Sequence, residues 1–168
     1  MLVPRLVSIS GSVHSGKTTV SRLLAARMPN SLYLDGDLIS ALVGQSYSQG
    51  TPIDDLLPEV HKHITKLVKA SLSNGLSIIV DFPFTDENRR GMENDLRQVK
   101  FEAKWFLLKP KIEKVLSPSE TRPELNDWEI ERIKYHYKSP LMDTTLAKVI
   151  DSTHQTPEET AKIIGEDL

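Results

Sequence analysis

The chain reads as an α/β protein of three layers, a parallel sheet of about five strands with helices on both faces. Two observations predict this. Short β-branched runs alternate with segments of helical period along the whole length. The first of those runs feeds Gly11-Ser12-Val13-His14-Ser15-Gly16-Lys17-Thr18, which has the spacing G-x-x-x-x-G-K-[ST] of a phosphate-binding loop. The spacing has a chemical reason. Glycines let the backbone curl so that successive N–H groups face inward, a lysine reaches the β- and γ-phosphates, and a hydroxyl holds Mg²⁺. The helix that starts there adds its positive dipole end. Gly11 to Thr18, with Thr19 behind them, are the nucleotide-binding candidates, and Thr18 is the first metal candidate.

Composition bounds the rest. A chain of 168 residues is long enough for one domain, residues 1–168, to bury most of its apolar surface around a core. Apolar content of 39% and charged content of 26% are ordinary for a globular chain, and no run approaches the length of a membrane helix. The opening Met1-Leu2-Val3-Pro4-Arg5 lacks a basic stretch followed by a long apolar one, so a cytoplasmic location is expected and a membrane partner is not. No cysteine is present, which excludes disulfides and thiolate metal sites. With a formal net charge of −2 and no long basic run, no nucleic-acid partner is expected, and phosphate affinity has to be local.

Element by element, Leu6 to Ile9 is a short buried strand, and Val20, Leu23, Leu24 and Met28 mark a helix over 17–28. Leu32-Tyr33-Leu34 is a strand ending in Asp35-Gly36-Asp37, which puts two carboxylates at the strand edge where open α/β sheets bind ligands. Asp37 is also placed to cap a helix over 38–43, and both roles can coexist. Residues 44–51 are polar; then Leu57, Val60, Ile64, Leu67, Val68 and Leu72 trace a long helix that stops at Asn74-Gly75. His61 and His63 point to different sides of it and read as solvated. Leu76 to Val80 suits a central strand, and its closing Asp81 has the Walker B pattern, a carboxylate that orders Mg²⁺, usually through water.

Phe82-Pro83-Phe84 follows, and Thr85 or Asp86 caps a polar helix that carries Arg89 and Arg90, each either a solvated cation or an anion contact. Ala103 to Leu108 is the fourth strand, and Pro110 opens a short helix to Leu116. Residues 117–124 hold two prolines and no apolar anchor, which predicts an exposed, mobile segment around Arg122. Asn126 and Glu129 are spaced as a capping box, and Tyr135-His136-Tyr137 reads as packing. Lys148 to Asp151 is the last strand, and Thr156-Pro157-Glu158-Glu159 is a second capping box, with proline at the first helical position.

With the loop, Asp35-Gly36-Asp37, Asp81 and Arg122 in hand, the chain resembles the small P-loop kinases, the group of shikimate kinase, gluconate kinase, adenylylsulfate kinase and chloramphenicol phosphotransferase. The resemblance covers essentially the whole length, and its most specific part is the phosphate loop. It implies a P-loop NTPase fold with strand order 2-3-1-4-5 and an arginine-bearing lid at about 117–125. It also implies ATP and Mg²⁺ as cofactors, Asp35 near the metal with Thr18 and Asp81, and Asp37 accepting the proton of an acceptor hydroxyl. The catalytic set implied is Lys17, Asp37 and Arg122. Asp151 and Pro157 match the segment that flanks adenine, and Phe82, Phe84, Arg89 and Arg90 join Asp37 around the acceptor. Asp81-Phe82-Pro83-Phe84 departs from the glycine-rich turn of shikimate kinase.

The expected function is ATP-dependent transfer of the γ-phosphate to a hydroxyl of a small molecule, with a nucleoside or nucleotide monophosphate kinase as the near alternative. A nucleotide-binding regulatory module is the alternative from another class; it would need neither Asp37 nor Arg122. The N-K-x-D motif of signalling GTPases and the LSGGQ signature of transport ATPases are both missing. Neither acceptor nor oligomeric state is readable from the residues.

Overall fold

The computed structural model describes residues 3–45, 52–118 and 124–168. Five strands form one parallel sheet: β1 Arg5–Gly11, β2 Ser31–Asp35, β3 Ser77–Asp81, β4 Glu102–Leu108 and β5 Lys148–Ile150. Their order is β2-β3-β1-β4-β5, the order the resemblance implies. The helices are α1 Lys17–Ala25, α2 Gly36–Gln45, α3 Ile53–Ser73, α4 Asp86–Asp95, α5 Ile112–Leu116, α6 Asp127–Lys138 and α7 Pro157–Glu166.

Strand alternation divides the core between the two faces of the sheet. Leu6, Ile78, Val80 and Trp105 face one way, against Val60, Ile64, Val68 and Leu72 of α3 and Met92 and Leu96 at α4. Val7, Ile9, Ile79, Phe106 and Leu108 face the other way, against Val20 and Leu24 of α1 and Ala161 and Ile164 of α7. Because β1, β3 and β4 are covered on both sides, they read as apolar runs rather than as alternating strands. No described helix is long and apolar enough to cross a membrane.

Several boundaries differ from the sequence reading. Helix α1 stops at Ala25, short of Met28, and α3 starts at Ile53 and runs through Pro58 in its second turn. Both capping boxes form, and a third joins Thr85 to Asn88 at the start of α4. His61 is not solvated: its ring packs against Phe82 and Phe84 at centroid separations of 5.4 and 5.3 Å. The stripe Val60, Ile64, Val68 turns that flank of α3 inward and carries His61 with it, while His63 stays exposed.

The candidate nucleotide site

A parallel sheet delivers every strand's carboxyl end to one edge, and here the ladder registers bring the acidic ends together. Asp35 pairs with Asp81 across β2 and β3, and Asp81 pairs in turn with Ile9, two residues before the phosphate loop. The loop itself needs its first glycine for space: a Cβ on Gly11 would stand 2.5 Å from Ser15 Oγ and 2.8 Å from the Leu108 carbonyl. His14 and Gly16 both have positive φ, 60° and 91°, and these reversals turn the chain sharply into α1.

Lys17 is buried, and its Nζ donates to the Ser12 carbonyl at 2.9 Å. Burial pushes its pKa below the ordinary lysine value, opposed by Asp81, Asp37 and Asp35 in that order. Asp81 is the mirror case. Desolvation raises its carboxyl pKa, while Lys17 and the Thr18 hydroxyl favour the anion and the other two aspartates disfavour it. Tyr33 donates to Asp81 at 3.3 Å, and burial beside Asp81 and Asp35 pushes that phenol up to about 12.

The two carboxylates of Asp35-Gly36-Asp37 hold different positions. Helix α2 opens at Gly36, and Asp35 caps it, its Oδ1 accepting from the N–H groups of Asp37 at 3.1 Å and Leu38 at 3.4 Å. The cap the sequence placed on Asp37 therefore belongs to Asp35, and Arg22 stands 3.9 Å from the other Asp35 oxygen. Asp37 is left exposed in the first turn, within electrostatic reach of Lys17. A close approach sets this spacing: a Cβ on Gly36 would meet the Phe82 ring at 2.4 Å.

Beneath these groups, Ser10 ties the end of β1 to the turn after β3, donating to the Phe82 carbonyl at 3.0 Å and accepting from the Phe84 N–H at 3.1 Å. Phe82 and Phe84 are buried in the core with Trp105, so they back the site rather than open onto it. Arg89 is fully buried as well, paired with Asp86 at 2.6 Å and Thr144 at 3.1 Å, and Arg90 on the next position of α4 is exposed. Asp151 accepts from Thr153 at the end of β5, and Pro157 is exposed at the start of α7, away from the aspartate cluster in strand order. Arg122 and residues 119–123, the centre of the expected lid, lie outside the described residues.

One residue at the loop was missed. His136 of α6 places Nδ1 3.4 Å from both Ser12 Oγ and the Val13 N–H, and its ring is buried. The sequence reading took Tyr135-His136-Tyr137 as packing, and the spacing of Glu129, Ile133 and His136, which puts them on one face of α6, was not used. What that face touches depends on tertiary docking, which no local pattern carries. Among the described residues no group of three His, Cys, Asp or Glu side chains is arranged to hold a metal directly.

Residues 6–140 match the AAA domain family model AAA_33. No curated protein matches the sequence. Among solved structures, the chain is similar to the tunicamycin resistance protein of Deinococcus radiodurans, at 16% identity and a TM-score of 0.68 over 98% of this chain and 95% of that one. It is similar to a gluconokinase from Sinorhizobium meliloti at 13% identity, with a TM-score of 0.70 over 99% and 92%. The thymidylate kinase of Candida albicans aligns at 13% identity and a TM-score of 0.65 over 98% and 90%. Likeness at this identity speaks for the fold, and that fold is the one P-loop kinases share. The chain thus belongs to the AAA domain family AAA_33, with a P-loop nucleotide-binding fold of the small-kinase type.

Proposed function

We propose that the protein is an ATP- and Mg²⁺-dependent phosphotransferase that moves the γ-phosphate to a hydroxyl of a small-molecule acceptor. The observation that carries this reading is the division of labour at the strand edge. Lys17 lies in the loop among three aspartates, of which Asp35 is spent on a helix cap, while the Asp37 carboxylate forms no hydrogen bond with a described residue. A module that only bound nucleotide would have no use for an unengaged carboxylate at that point. As the acceptor's base, Asp37 would take the hydroxyl proton while Lys17 neutralises charge on the transferring phosphoryl group.

The Thr18 hydroxyl and the buried Asp81 carboxylate are hard oxygen donors, the type Mg²⁺ prefers, and they stand side by side. Thr18 and Asp81 would hold that ion, which when bound would supply positive charge against the phosphates. Asp35, with one oxygen in the cap and the other facing Arg22, would act on that shell from outside. Arg122 retains, on the resemblance alone, the role of a lid arginine, and Arg132 on α6 is engaged with Asp54 at 2.9 and 3.2 Å.

The kinase names among the structural neighbours are in keeping with this reading. A panel of polyols, aminocyclitols, antibiotics and nucleotides tests it, with ADP release as the readout. An acceptor that stimulates release by the wild type and not by Lys17→Ala supports transfer. Nucleotide binding with no stimulation by any acceptor class favours the regulatory module.

A further inference from the structure

Helix α6 is laid across the phosphate loop by two of its side chains, Glu129 and His136. Glu129 Oε1 meets His14 Nε2 at 2.8 Å, and Ile133 is fully buried one turn on. One turn further, His136 brings Nδ1 to Ser12 Oγ and the Val13 N–H, each at 3.4 Å. Beside this stripe Arg132 forks onto both oxygens of Asp54 and anchors the helix to the start of α3. The result is a buried imidazole held against a loop whose N–H groups exist to meet phosphate.

Its position along the loop is informative. In such loops the amides at the helix end serve the α- and β-phosphates, and the lysine reaches the β- and γ-phosphates. Here the Lys17 ammonium rests on the Ser12 carbonyl, and His136 touches Ser12 and Val13, so the ring shares the lysine's end of the site. We propose that His136 is a terminal-phosphate contact, the group through which α6 tells a nucleoside triphosphate from a diphosphate. The proposal rests on the phosphotransferase reading above.

The chemistry follows from the proton on the ring. To accept from Val13 N–H, Nδ1 must be bare, and burial holds the imidazole neutral, with Arg132 and Lys17 adding to the effect and Asp54 opposing it. A terminal phosphate brings negative charge that offsets those two cations, and it replaces a donor with an acceptor in front of Nδ1. The ring then carries its proton on Nδ1, gained from solvent or exchanged for the one on Nε2, and no other bond forms or breaks. Val13 N–H is freed for the phosphate at the same time. A diphosphate ends short of this point and leaves the ring on Val13.

Calorimetric titration of the full chain with Mg²⁺ and either β,γ-imido-ATP or ADP separates the possibilities. His136→Ala should weaken imido-ATP roughly 10- to 100-fold, the span of a hydrogen bond to a charged group, and change ADP by less than about twofold. His136→Asn, whose amide stands near the place of Nδ1, should recover most of the loss, and His136→Gln should not. An equal effect on both nucleotides, or on neither, overturns the assignment. Wild-type chain that binds neither nucleotide contradicts the phosphotransferase reading itself, whereas normal wild-type binding with an unchanged preference in the variants removes only the role of His136. Nitrogen NMR of the wild-type ring needs no variant to fold: Nδ1 should change from bare to protonated with imido-ATP and not with ADP, and an unchanged signal with both overturns the proposal.

Discussion

Lys17 illustrates how a single side chain reconciles burial with charge. Its ammonium is removed from water, yet three aspartates and the Ser12 carbonyl keep it usable as a cation. Lys17→Ala should lower phosphoryl transfer roughly 10²- to 10³-fold, the usual loss when one positioned charge donor is removed, and steady-state kinetics will read it. The two neighbouring carboxylates should separate cleanly. Asp37→Asn is expected to lose about 10²- to 10⁴-fold in turnover with little change in nucleotide affinity, because it removes a base and no cap. Asp35→Asn retains a capping side chain and should lose less; the reverse ranking would exchange their roles. His136 supplies a pH prediction. Its ring titrates near 6.5 when unfolded and at about 4 when folded, so between these values the unfolded chain binds more protons. The contribution is present in full above about pH 6.5 and is lost as pH falls toward 4, by up to about 3 kcal/mol. Urea titrations across that window should show the slope in wild type and a flatter one in His136→Asn.

Helix α4 shows what periodicity does and does not reveal. Its cap at Thr85 is local chemistry and was visible as a start signal, but the burial of Arg89 was not read, although Met92 and Leu96, three and seven positions on, mark the same buried face. The structure turns Arg89 inward and surrounds its partner. Burial alone would raise the Asp86 carboxyl pKa, but hydrogen bonds from Thr144, Thr145 and Arg89 hold it well below the usual range. This pair stitches α4 to the segment before β5, two parts 55 residues apart in sequence. Asp86→Ala would leave a guanidinium buried with Thr144 as its one hydrogen-bond partner among the described residues and should cost about 3–5 kcal/mol in chemical denaturation. A loss under about 1 kcal/mol would mean that water reaches Arg89. The same distinction separates His61 and His136 from the sequence reading. Both were placed correctly on helices, and both owe their surroundings to elements more than 20 positions away, Phe82 and Phe84 in one case and Ser12 and Val13 in the other.

For the molecule as a whole, the parallel sheet and its two covered faces were legible because alternation of strands with helices forces parallel crossovers, while the strand order came from the resemblance to the small P-loop kinases. The phosphate end of the site was legible because its residues are contiguous. The surroundings of the residues expected around an acceptor were not, since Asp37, Phe82 and Arg89 come from α2, the turn after β3 and α4, where side chains are directed by packing, and two of the three turned inward. Ligand linkage offers a global check. Mg²⁺-ATP at one hundred times its dissociation constant should stabilise the fold by about 2.7 kcal/mol, seen as a rise in melting temperature. Phosphoryl transfer itself is the most direct test. With ATP labelled at the γ-phosphate, Mg²⁺ and the acceptor panel, the account predicts label in a phosphate ester of one acceptor, formed by wild type and nearly abolished by Asp37→Asn. Label found only in inorganic phosphate, or an ester formed equally well by Asp37→Asn, would contradict it.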